Sequence, residues 1–358
     1  LEVPEYRRAV ERLFPQVTNL RFLGRAVLWS QIDWSNETER TSARLGLLTY
    51  LETLLTAPRN QHPYSLLESE AYLQQAFLWH NIHSNESATH SLSLARSAIY
   101  GTLVPRINAE GQFEEFDERA ARQYLPGIVR NSGQSVINQH LAYASVQMGR
   151  ILMMEATQLK EQLDTTSDKT AAAELEEQRQ ERLRQAQLYL CQAAGTLQGI
   201  DQLEIREMLG RSLLESGQTE EAAAHIDAVL ALDNSYREQL VANNGVEPKR
   251  FTQIYTSALI SRARINMIEA ENVFQTAEET TETPSLQRRL EILVRAEEGL
   301  TAAIDSQYVY QVAGQEIRVP ILTGPYLQSV ESDREANVSR QAIIRGWLEA
   351  LNETADSN

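Results

Sequence analysis

Residues 203–236 read LEIREMLGRSLLESGQTEEAAAHIDAVLALDNSY, and this stretch decides the fold. Apolar residues return every three or four positions on either side of Gly217, the signature of two amphipathic helices. Gly217 ends the first helix, because a residue without Cβ enters the left-handed region at little cost. Gly210 and Ala222 fall where the two helices must approach closest. A larger side chain at either position pushes the helices apart and forfeits packing.

Those residues resemble a tetratricopeptide repeat, a 34-residue pair of antiparallel helices. Leu209-Gly210 takes the Leu-Gly pair of that family, Gly217 the turn, Ala222 the small residue of the second helix and Ile226 its large apolar partner. Asn234 stands where the family usually has proline, and Val229 where a smaller residue is common. Two other segments look like lengthened versions of the unit. In one, Met148-Gly149 is the Leu-Gly pair and Ala186, Leu190 and Ala193 are the second-helix positions; in the other, Ala296, Leu300 and Ala303 repeat that spacing. The resemblance implies an all-α superhelix of stacked helix pairs, since one pair cannot bury its own apolar face. It further implies a concave surface lined by first-helix residues, here Glu204, Glu207, Arg211 and Leu214, and in the preceding pair Tyr143, Val146, Arg150 and Met153. Such a surface grips a peptide or helix of another protein.

Outward from this unit the periodicity stays helical. Helices are expected over 4–32 with a break near Pro15, over 37–56, and over 64–82 and 87–103 as a pair. Pro58 and Pro105 close two of these segments at a separation compatible with the longer helix-pair repeats. Residues 104–133 are rich in turn formers and read as an insertion between the N-terminal pairs, 1–103, and a block of pairs with lengthened helices, 134–305. Within that block, 134–163 and 170–198 form one long hairpin, whose polar connection at 164–168 and charged run at 174–184 read as a solvated face on helices projecting beyond the core, and 250–279 and 285–305 form another. The remainder, 306–358, alternates as a β-hairpin would over 308–321, turning at Ala313-Gly314, and ends in a capping helix at 333–354. That helix is expected to set Val338, Ile343, Trp347 and Leu351 along one side.

Composition narrows the function classes. The 358 residues carry a net charge of −16, with 42% hydrophobic and 23% charged residues, as in an ordinary folded protein. The acidic balance repels phosphate backbones and anionic lipid, so no nucleic-acid partner is expected. No apolar run reaches the ~18 residues of a membrane span, so this segment does not itself insert into a bilayer. Leu1 is not an initiator methionine, which leaves room for a membrane-tethered parent chain. The one cysteine, Cys191, lies in the run Leu188-Tyr189-Leu190-Cys191 and is expected as a small core filler. Of the sequons at Asn36, Asn85, Asn337 and Asn352, none is assigned a role.

Catalytic signatures are missing: there is no phosphate-binding glycine loop, dinucleotide fingerprint, nucleophile elbow or His-Glu-x-x-His segment. His80, His83 and His90 lack the further ligands of a zinc site, and no metal or cofactor is expected. The leading expectation is therefore a non-enzymatic scaffold or adaptor that binds a protein or peptide partner. Two alternatives stand beside it. One is the helical domain of a bacterial envelope protein, associated with a polysaccharide polymerase or ligase or with a transporter lipoprotein, that binds a small ligand. The other is a helical enzyme using Arg106, Glu110, Glu114, Glu115, Asp117 and Arg119 of the insertion.

Overall fold

The computed structural model describes residue 38 and residues 65–82, 84–232, 248–276, 283–312, 315–322 and 324–356. The helix expected at 4–32, that at 37–56 apart from residue 38, the turn at 313–314, and positions 83 and 234 lie outside them. The fold class is all-α, with one small strand pair. The chain divides into two compact units, Leu1–Leu197 and Gln198–Asn358, so the boundary falls inside the 134–305 block.

In the first unit, α1 (Ser65–Asn81) and α2 (Asn85–Ile99) form a hairpin, followed by the short α3 (Glu118–Ala121) and α4 (Gly127–Arg130). The long helices α5 (Gln134–Thr165) and α6 (Lys169–Ala194) form the next hairpin, and α5 packs against both α1 and α2. Asp168 starts α6 by accepting hydrogen bonds from the Thr170 and Ala171 amides, which satisfies donors the helix cannot. The hairpin does not project freely along its length: at the far end of α5, Glu161 sits 3.6 Å from His80 and 3.4 Å from Asn85. The 100–117 segment lies on α6. There the Tyr189 phenol donates to the Pro105 carbonyl at 2.6 Å, Phe113 tilts against the Tyr189 ring, and Arg184 donates to the Gly111 carbonyl.

The second unit opens with the hairpin α7 (Ile200–Glu215) and α8 (Thr219–Leu230). Gly217 at φ +84 makes the turn, with Gln218 N–H donating to Leu213 and Gly217 N–H to Leu214, the two hydrogen bonds of a Schellman cap. Next come α9 (Pro248–Thr276), α10 (Thr283–Ile304), strands β1 (Gln307–Val312) and β2 (Gln315–Pro320), and α11 (Gly324–Asp356). The strands pair antiparallel, Gln307 opposite Pro320 and Val312 opposite Gln315. The central helix α9 packs against α7 and α8 on one side and α10 and α11 on the other.

One spacing recurs in the second helix of each of the four described hairpins. Ala88-Leu92-Ala95, Ala186-Leu190-Ala193 and Ala296-Leu300-Ala303 follow the pattern small, x3, Leu or Ile, x2, small, Ala222-Ile226-Val229 follows it with a larger residue in the last place, and all twelve residues are at most 1% exposed. Hairpins α1–α2 and α7–α8 also agree in spacing: Ala76 precedes Ala88 by the twelve residues that separate Gly210 from Ala222. This second pair of the same spacing went unnoticed in the sequence, because Ala76 replaces the glycine that marks the other.

Two expectations are corrected. Cys191 is exposed. The buried face of α6 runs Ala186, Tyr189, Leu190, Ala193, and the residue after Leu190 is turned about 100° away from it. On α11 the core face is Val330, Asn337, Gln341 and Ile344, leaving Val338 at 41%, Ile343 at 54% and Trp347 at 45% exposure. Asn337 and Gln341 both donate to the Leu293 carbonyl of α10, polar contacts that apolar counting misses.

A Cβ on Gly210 would meet Ile226 at 2.7 Å and the Ala222 carbonyl at 3.2 Å, and on Gly149 would meet Leu190 at 2.8 Å. On Gly299 it would meet Ala263 at an ordinary 3.5 Å. Gly210→Ala and Gly149→Ala should each destabilise by about 1–3 kcal/mol, while Gly299→Ala should stabilise by up to about 1 kcal/mol. Urea unfolding of the three variants checks this, and equal effects at all three positions would refute the close-approach argument.

Candidate functional site

Four successive residues of α9, each seven apart, form one polar stripe: Arg250, Ser257, Arg264 and Glu271. A spacing of seven keeps side chains within about 20° per step on a helix, so they share a face. Arg250 donates to Asp201 and Glu204 of α7, and the Ser257 hydroxyl donates to Glu207. Further along, Arg264 donates to Asp333 at 2.8 Å and to Ser329 of α11, and Arg340 of α11 pairs with Glu271 at 2.9 Å. The stripe thus joins three helices, α7, α9 and α11.

Its most enclosed group is Glu207, 4% exposed. Burial pushes its carboxyl above the ordinary value of 4.5, against the opposing pull of Arg211 and of the Ser257 hydrogen bond. Arg211 stands one turn on, its Nε 3.5 Å from Glu207, with a third of its side chain exposed.

The first unit has a smaller counterpart. Glu70 of α1 lies 3.9 Å from Arg150 of α5. Glu70 precedes Ala76 by the six residues that separate Glu204 from Gly210, so both units pair an equivalent glutamate with an arginine on the next long helix. Deeper in, Glu155 of α5 accepts from Arg96 of α2 at 3.2 Å and pairs with Arg182 of α6 at 2.8 Å. Burial raises its carboxyl even with two guanidinium groups beside it.

The eight residues expected to line a concave surface fall into two sets, one in each unit. In the first, Tyr143 is half-buried with its ring edge-on to His140 at 6.2 Å, and Arg150 reaches Glu70, whereas Val146 and Met153 are core residues at 6% exposure. In the second, Glu204 is held by Arg250, Glu207 is enclosed, Arg211 keeps an open edge and Leu214 packs on the apolar cluster of α7, α8 and α9. Val146, Met153 and Glu207 therefore do not form an open surface, because the neighbouring helices close over them. Sequence reasoning missed Arg250, Ser257 and Arg264, although the seven-residue spacing was there to be counted.

Elsewhere the chemistry is sparse. Among the described residues no group of three His, Cys, Asp or Glu side chains converges as a metal site, and no helix is long and apolar enough to cross a membrane. His90 is exposed, and His80 faces Glu161. In the insertion, Glu114, Glu115 and Arg119 are exposed, Asp117 caps α3 through the Ala120 amide, and Arg106 lies over the Tyr100 ring at 5.3 Å. No protein-family model, curated protein or solved structure matches the chain.

Arg250→Gln should destabilise the second unit by about 1–3 kcal/mol, since it strands two largely buried carboxylates. Glu207 binds its proton more tightly folded than unfolded, so wild-type stability from this group is present below 4.5 and lost as pH rises through the folded value. The stability of Glu207→Gln relative to wild type should therefore climb upward from pH 4.5 and then level off. Thermal melts of both proteins across that range check the sign, and a difference that falls with pH would contradict it.

Proposed function

We propose that this chain is a tetratricopeptide-like array of helix pairs acting as a non-enzymatic scaffold that holds a protein or peptide partner along its first helices. The observation that carries the reading is the repeated pair. Four second helices bury the same small, x3, Leu or Ile, x2 spacing, closed by Ala in three and Val229 in one, and two pairs share the twelve-residue step from first helix to second. Within each unit, the long helix that follows a hairpin packs against both of its members, as α5 does with α1 and α2 and α9 with α7 and α8. Stacking of that kind is what a helix-pair repeat requires, because each pair leaves one apolar face for its successor.

In this reading the α7–α9–α11 stripe lines the inner surface of the second unit. Its carboxylates and arginines are already engaged with one another, so the groups offered to a partner are the open edge of Arg211, 34% exposed, and Tyr326 of α11, 38% exposed. Both suit a peptide: a planar guanidinium forks to carboxylate or carbonyl oxygens, and a tyrosine supplies rigid contact area.

The test is affinity capture from a native extract with wild-type bait beside Arg211→Gln and Tyr326→Ala baits, each shown by its melt to be folded. A protein retained by wild type and reduced at least about tenfold on both variants is expected, as for residues at the centre of an interface. Retention of the same proteins by all three baits, or of none by wild type, would overturn the assignment of this surface.

A further inference from the structure

Around Glu155, where α5 meets α2 and α6, the side chains are in contact but not in charge balance. Arg96 of α2 and Arg182 of α6 both reach the same oxygen of Glu155, Oε2, at 3.2 and 2.8 Å. The neighbouring carboxylates of α6 are taken by other arginines: Glu181 accepts the fork of Arg184, and Glu176 accepts from Arg179. Two guanidinium groups are left to one carboxylate, a local positive excess in a chain of net charge −16.

Their donors are only partly used. Arg96 meets Glu155 through Nη1 and Arg182 through Nε, and each side chain is 32% exposed, so the outer nitrogens of both forks face solvent. Ser93 and Thr89, one and two turns before Arg96 on the same side of α2, are exposed. Thr89 donates to Oε1 of Gln158 at 3.1 Å, and Gln158, one turn after Glu155 on α5, is 5% exposed with its Nε2 enclosed and without an acceptor. An enclosed donor with nothing to donate to calls for a missing acceptor, an ion or the water it holds. Excess positive charge and an unmet donor point to the same kind of ligand, an anion.

We propose that Arg96 and Arg182 bind a tetrahedral oxyanion, phosphate or the phosphoryl group of a small molecule. Two planar forks on separate helices offer donors from two directions, which serves a group with three or four oxygens better than a flat carboxylate. Burial already holds the Glu155 carboxyl above 4.5, so an anion beside it drives it to the neutral form at little cost and leaves both guanidinium charges to the ligand. The acidic surface repels a polyanion more than a single group, which favours a small ligand. Glu155 lies about 140° round α5 from Arg150, so this site is separate from the first-helix surface assigned to a protein partner.

Isothermal titration of the full chain with inorganic phosphate at constant ionic strength, beside glycerol phosphate and acetate, tests this. A dissociation constant on the order of 1 mM is expected for phosphate. Arg96→Gln and Arg182→Gln should each weaken binding at least about tenfold. Arg96→Lys and Arg182→Lys keep the charge and lose the fork; they should weaken binding severalfold and stay readable where a glutamine variant unfolds. Glu155→Gln separates a binding site from a purely structural ion triad: it removes the competing charge and should tighten phosphate binding at least about threefold. Tighter binding of glycerol phosphate than of phosphate would identify the phosphoryl group of an organic molecule as the ligand, and the reverse order the free ion. No heat with either, acetate bound as tightly as phosphate, or a Glu155→Gln chain that binds no tighter than wild type would each overturn the proposal.

Discussion

Two helices can lie only as close as the residues at their crossing allow, and in this chain glycine and alanine occupy the crossings. Gly210 sits beneath Ile226 with the Ala222 carbonyl 3.2 Å from where a Cβ would stand, and Gly149 sits beneath Leu190 in the same way. That approach makes each pair a thin, two-helix layer with its branched side chain enclosed between backbones. A layer so thin has too little interior of its own, and the apolar residues it leaves uncovered define where the next helix goes. The packing of α5 on α1 and α2, and of α9 on α7 and α8, is the consequence.

α9 shows how one helix serves two neighbours at once. Phe251, Ile254 and Ala258 complete the core of α7 and α8, while Ile260 and Ala263 belong to the core shared with α10 and α11. A helix buried on two opposite faces has only narrow flanks for polar groups, and the stripe Arg250, Ser257, Arg264, Glu271 occupies one of them. Those residues are near enough to α7 and α11 to hydrogen-bond sideways, so the flank fixes the axial register that apolar packing leaves loose. Asn337 and Gln341, both bonded to the Leu293 carbonyl, do the same between α10 and α11.

The sequence disclosed the helices and their pairing more fully than their facing. Periods of three and four placed α5, α6, α9 and α10 because a long amphipathic pattern is hard to mistake, and Gly217 marked its turn through a conformation only glycine adopts cheaply. Facing was lost wherever polar residues are buried. On α11 the inward side contains Asn337 and Gln341, so counting apolar residues selected Val338, Ile343 and Trp347, which point outward. The candidate site failed in part for a related reason: Glu207 and Glu204 are charged and read as surface, yet each is taken up by a residue of α9 that lies some fifty positions on. Only a partner that distant, invisible to local pattern, turns them inward.

Charge then takes two different forms in one molecule. The chain is strongly acidic at −16, but between helices arginine and carboxylate are matched, as Arg250 is with Asp201 and Glu204, Arg264 with Asp333, and Arg96 and Arg182 with Glu155. Matched pairs contribute little field at a distance, so the excess negative potential comes from the solvent-facing carboxylates. The enclosed pairs fix how the helices of each unit seat on one another, whereas the unmatched carboxylates set the field that solvent and ions meet. Salt therefore screens the outer field far more than it loosens the enclosed pairs, because ions reach exposed carboxylates and not charges held between helices.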